Sequence, residues 1–113
     1  MNTKISYLYR DACNYKMHNE VVILGILTKE QRRTILECLD EGENFVPSAV
    51  GLPEVKLDEC DSEDDGPWFE LGEDSFEDVH EKPTVSVTAD ELVGDFVRCK
   101  DRWYQYAYPD LYC

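Results

Sequence analysis

The sequence predicts a small two-layer α+β domain, a mostly antiparallel sheet with two helices packed on one face. Three observations lead there. Residues 4–10 alternate polar side chains with aromatic or β-branched ones at a period of two, interrupted only by Leu8. Thr28 and Thr88 each open a capping box, a hydroxyl followed three residues later by Gln31 or Glu91, ahead of apolar residues at helical spacing. Hydrophobic residues make up 42% of the 113, enough for a core despite a formal net charge of −14. A chain of this length supports one domain, so residues 1–113 read as a single unit with an acidic, loop-rich insertion at about 43–82.

Taken in order, Ile5, Tyr7 and Tyr9 mark the buried side of a first strand. A second strand follows over residues 20–27, where the Val-Val-Ile-Leu run predicts a central position covered on both faces, paired with the first. Helix one is expected over 29–41 on Ile35, Leu36 and Leu39, with Gly42 as a left-handed stop. Phe45-Val46 and Val55 with Leu57 each suit a short strand, and the aromatic surface of residues 67–71 has to be buried. After Pro83 the alternation of residues 84–87 predicts a strand. The last helix carries a stripe of Leu92, Val93, Phe96, Val97 and Trp103, and the three Tyr of the 105–113 tail imply that it lies against the body.

The charge is local. Residues 1–36 carry a net +3, residues 37–95 a net −18 and residues 96–113 a net +1. Such acidity opposes direct binding to nucleic acid or an anionic membrane. The longest apolar run, residues 21–27, is too short to span a bilayer, and Met-Asn-Thr-Lys-Ile-Ser does not read as a signal peptide. The expectation is a cytoplasmic protein.

Enzymatic chemistry has little to stand on, and no cofactor is expected. Five cysteines at 13, 38, 60, 99 and 113 form no regular framework and read as reduced thiols, with Cys38 and Cys99 in the core. Cys13 and His18 are the one close Cys/His pair, and no second pair answers it for zinc. Residues 61–66 imitate the start of a calcium loop, but Gly72 stands where a bidentate Glu belongs. With 25 acids, a pair at any chosen separation carries no information about catalysis.

The acidic block itself is the candidate site. It comprises Asp58, Glu59, Asp61, Glu63, Asp64 and Asp65, then Glu70, Glu73, Asp74, Glu77, Asp78 and Glu81 interleaved with Trp68, Phe69, Leu71, Phe76 and Val79. Acids among anchored rings are held in place better than acids in a free linker. Alternate strand residues lie about 6.5 Å apart on one face, comparable with phosphates along a nucleic-acid strand. A fixed carboxylate array therefore fits a Lys/Arg channel built for nucleic acid, with salt-sensitive association.

Tyr7-Leu8-Tyr9-Arg10-Asp11-Ala12, Asn14-Tyr15-Lys16, Gly51-Leu52-Pro53-Glu54 and Trp68-Phe69-Glu70-Leu71 resemble small uncharacterised acidic proteins of gut-bacterial chromosomes and mobile elements. That neighbourhood includes anti-CRISPR inhibitors, several of them nucleic-acid mimics on Cas effectors. The resemblance implies a defence-related role and designates no residue. The expected function is stoichiometric inhibition: the acidic face docks on a basic protein surface, that of a nucleic-acid-handling protein such as a Cas effector. The alternative is a housekeeping adaptor or small-ligand-binding protein whose acids serve solubility; a hydrolase with an unrecognised carboxylate pair is a third.

Overall fold

The computed structural model describes residues 1–10, 16–53 and 68–107. Strands β1 (Asn2–Arg10) and β2 (Lys16–Ile23) form an antiparallel hairpin in which Ile5 stands opposite Val21 and Tyr7 opposite Asn19. The alternation in β1 places Thr3, Ile5, Tyr7 and Tyr9 on the buried face. Helix α1 (Lys29–Glu37) follows, then β3 (Asn44–Phe45), a 3-10 turn over Pro47–Val50, β4 (Phe69–Glu70) and β5 (Phe76–Val79). Helices α2 (Ala89–Cys99) and α3 (Trp103–Ala107) close the described chain. The sheet runs β2-β1-β4-β3, and β5 shares with β4 the edge of β1 opposite β2. This is an antiparallel α+β arrangement.

Ile35 of α1, Leu92 and Phe96 of α2 and Trp103 of α3 pack with Ile5, Tyr7 and Tyr9 in one cluster, so the helices share a face of the sheet. Phe45 sits at its centre, in ring contact with Tyr7 at 5.7 Å, Phe96 at 5.6 Å and Trp103 at 6.3 Å. The Trp103 indole N–H donates to the Cys38 carbonyl at 2.7 Å, satisfying the single polar atom that this ring carries into the core. Thr3 is fully buried; its hydroxyl donates to the Gly25 carbonyl and accepts from the Leu27 amide, tying the exit of β2 to the start of β1. Burial pushes the Cys38 and Cys99 thiols above their ordinary pKa, as core thiols require.

Both capping boxes form: Thr28 with Gln31 and Thr88 with Glu91 exchange their side-chain and backbone bonds. Five expectations need correction. β2 ends at Ile23 and lies at the sheet edge, not its centre. Its Val22 is buried because the chain after β5 returns across the start of β1, where the Asn2 side-chain Nδ2 donates to the Glu81 carbonyl, to reach Thr84 on the far side of β2. Residues 84–87 form no strand; they meet β2 through Thr84 on Val22, and beyond them Thr88 bridges Leu24. Helix α1 stops at Glu37, and Gly42 serves instead the tight turn between Asp40 and Asn44, where Glu41 and Gly42 both have positive φ. The buried side of α2 is Ala89, Leu92, Phe96 and Cys99, with Val97 exposed. At about 100° per residue, Val97 lies roughly 120° from the middle of that arc. A third, short helix holds Trp103, and the Val55 and Leu57 strand lies outside the described residues.

Candidate acidic docking site

The site forms where a ladder fails. Tyr9 and Leu8 of β1 pair with Phe69 and Glu70 of β4, while Ile5, Lys4, Thr3 and Asn2 pair with Phe76, Glu77, Asp78 and Val79 of β5. Five residues, 71–75, thus stand against only Ser6 and Tyr7, and the surplus is taken up by a 3-10 turn over Glu73–Ser75. The Ser75 hydroxyl accepts from the Gly72 amide at 2.9 Å and steadies that turn. Anchors on either side are apolar: Phe69 is fully buried and Phe76 nearly so.

Because successive strand side chains face opposite ways, the register sorts the acids. Glu70 and Glu77 stand opposite Leu8 and Lys4 on the face away from the helices. Asp78 stands opposite buried Thr3, towards α1, and pairs with the Arg32 guanidinium, which also donates to the Leu27 carbonyl and lies 5.9 Å from the Phe76 ring centre. Glu81 pairs with Lys4 at 2.8 Å. That bond, helped by the charges of Glu81, Glu20 and Glu77 and opposed by burial, holds the Lys4 ammonium above its ordinary pKa. Glu73 faces Lys29, Arg32 and Arg33 of α1, whereas Asp74 lies on the other side of the turn.

Between β4 and β5 this arrangement opens a cleft of about 360 Å³. Glu43, Glu70 and Asp74 line it with His18, over a floor that includes Leu8 and Ser6. The Ser6 amide and carbonyl point into this gap: Val22 of β2 bonds outward to Thr84, so the even-numbered residues of β1 direct their backbone groups away from β2. An acidic cleft with a backbone donor and acceptor on its floor suits a cationic side chain presented by another molecule. Among the described residues no cluster of His, Cys, Asp or Glu is close enough to hold a metal ion. No family model, curated protein or solved structure matches the chain.

Of the candidate residues, Glu70, Glu73, Asp74, Glu77, Asp78 and Glu81 thus share one ribbon along β1 but not one face. Phe69 is core, and Trp68 is half-buried with its ring 5.3 Å from Tyr104 of α3. Asp58, Glu59, Asp61, Glu63, Asp64 and Asp65 lie outside the described residues, as do Cys13 and the calcium-like segment 61–66. His18 and His80 are exposed. Sequence reasoning omitted Glu43, which precedes β3 and lines the cleft, and Glu20 of β2, which its register opposite Ser6 puts on the face that Glu70 and Glu77 share. Among the described residues no helix is long and apolar enough to cross a membrane.

Proposed function

We propose that the chain is a stoichiometric binding protein that docks its acidic ribbon on a basic surface made for nucleic acid, and so blocks that surface without turnover. The concrete partner is a Cas effector, the partner class that the sequence resemblance implies. The observation that carries this reading is the position of the acids. Glu73, Asp74 and Glu77 project from a ribbon clamped by Phe69 and Phe76, exposed and without an ion pair among the described residues. Clamping removes much of the entropy that a free acidic tail loses on binding. Asp78 and Glu81 hold the ribbon through Arg32 and Lys4, so they act on the partner only through the ribbon's shape.

The test is competition. A purified Cas effector is titrated with the chain while its guide-dependent DNA binding is followed, at low and at high salt. Inhibition at one-to-one stoichiometry that fades with salt supports the reading. The triple variant Glu73→Lys, Asp74→Lys, Glu77→Lys should weaken it at least tenfold with an unchanged circular dichroism spectrum. Inhibition undiminished in that variant, and in a second one reversed at Asp61, Glu63, Asp64 and Asp65, overturns the acidic-face reading.

A further inference from the structure

We infer that the free edge of β2 is a homodimer interface, in which the segment Lys16 to Glu20 of two copies pairs antiparallel and joins the two sheets. On the side of β2 away from β1, the Val22 amide and carbonyl are taken by Thr84, and the Leu24 carbonyl by the Ala89 amide. Strand alternation then sends the backbone groups of residues 16, 18 and 20 to that same side. Among the described residues, no backbone or side-chain bond reaches His18 or Glu20 there. One half of this edge is therefore covered by the chain's own return; along the other half the outward donors and acceptors of His18 and Glu20 meet no partner among the described residues, a template for another strand.

A second copy is the occupant that the edge itself selects. Residue 22 is already blocked and β2 begins at Lys16, so an antiparallel self-pairing has one complete register, centred on His18. In that register His18 meets His18 and position 16 meets position 20. The two symmetry-related pairs then join a lysine to a glutamate, opposite charges directly across strands. The local charge also permits it. β2 belongs to the +3 block of residues 1–36, whereas the opposite border of the sheet, at β3, is flanked by Glu41 and Glu43 and already closed by the bridge from Asp40 to Asn44. Two copies of a chain of charge −14 repel overall, but β2 itself, with one lysine and one glutamate, is neutral. The interface is isologous, each edge serving as template and addition at once.

Sedimentation across a micromolar-to-millimolar concentration series in moderate salt tests this on the full chain. The wild type should pass reversibly from monomer to dimer. His18→Pro removes only an outward amide, not a rung of the β1–β2 ladder, and should leave a folded monomer by circular dichroism. Should that variant fail to fold, charge exchange decides instead. Glu20→Lys alone sets lysines against each other and should weaken the dimer roughly tenfold, while Lys16→Glu with Glu20→Lys should restore it. A wild type that stays monomeric throughout leaves the edge to an extended segment of another protein and overturns the homodimer. So does a dimer that tolerates His18→Pro, or one indifferent to both charge variants. The readout here is the oligomeric state of the chain alone, with no effector present, so the outcome is separate from that of the competition test.

Discussion

Strand β1 has two sides that are built in opposite ways. Towards β2 it runs an unbroken register from Thr3 opposite Ile23 to Arg10 opposite Lys16. Towards β4 and β5 it has a two-residue pairing, a five-residue excursion and a four-residue pairing. The hairpin side is regular because its residues are close in sequence and alternate in polarity, so local pattern and ladder agree. The other side carries acids at Glu70, Glu73, Asp74, Glu77 and Asp78 and is held by a few buried anchors. The contrast teaches where a small fold can place a charged surface. Glu73 and Asp74 sit where the ladder breaks, Glu70, Glu77 and Asp78 flank the break in paired positions, and the break supplies the cleft.

The strongest way to break the contrast is to remove the anchor of the irregular side. Phe69 is fully buried between Tyr7, Tyr9 and Phe45, at ring distances of 5.8, 5.0 and 6.5 Å. Phe69→Ala should cost about 3–5 kcal/mol of stability in urea unfolding. In hydrogen exchange, amides of β5 should lose protection before those of β2 do. A cost under about 1 kcal/mol would mean that the ribbon is held by something other than its rings.

On the regular side the corresponding weak point is Thr3, whose hydroxyl serves Gly25 and Leu27 at once. Thr3→Val keeps shape and burial but strands a carbonyl and an amide, and should cost about 1–3 kcal/mol. Thr3→Ser keeps the hydroxyl and should recover part of the loss. Equal stability of the valine and serine variants would refute the bridging role.

The legibility of the fold followed the same division. The period-two pattern of Ile5, Tyr7 and Tyr9 and both capping boxes were readable because each is settled within a few residues of chain. The alternation of Thr84 to Val87 was readable too, and misleading. A strand needs a partner edge, and here the edge of β2 is met only by Thr84 at Val22 and by Thr88 at Leu24. Val22 looked central because it is apolar on an outward-facing position, yet its cover comes from residues some sixty positions later, which no local pattern announces. The acids were legible as a block but not as a surface. Which of Glu77 and Asp78 faces the helices is decided by register against β1, a long-range pairing broken by three surplus residues. Glu20, opposite Ser6, shares the face of Glu70 and Glu77 for the same reason.

A smaller effect sharpens the comparison at the excursion. The Ser75 hydroxyl holds the Gly72 amide where the ladder is interrupted. Ser75→Ala should cost only about 0.5–1 kcal/mol, since the freed amide is reached by water. It should nonetheless weaken partner inhibition several-fold by loosening Glu73 and Asp74. Loss of inhibition without matching loss of stability marks the turn as a positioning device. A parallel loss of both makes it ordinary structure.

The smallest effect concerns the ion pairs that pin the ribbon. Arg32 and Asp78 are both partly exposed, so removing one partner costs less than a buried pair would. Asp78→Asn should lower stability by about 0.2–1 kcal/mol, and the loss should shrink in high salt. Arg32→Lys is the more telling change, because lysine keeps the charge but has no planar fork to serve Leu27 and Asp78 together or to lie against Phe76. If Arg32→Lys costs more than Asp78→Asn, shape rather than charge fastens the acidic ribbon to α1. The reverse order makes the ribbon an electrostatic attachment, and salt should then release it before it releases the β1–β2 hairpin.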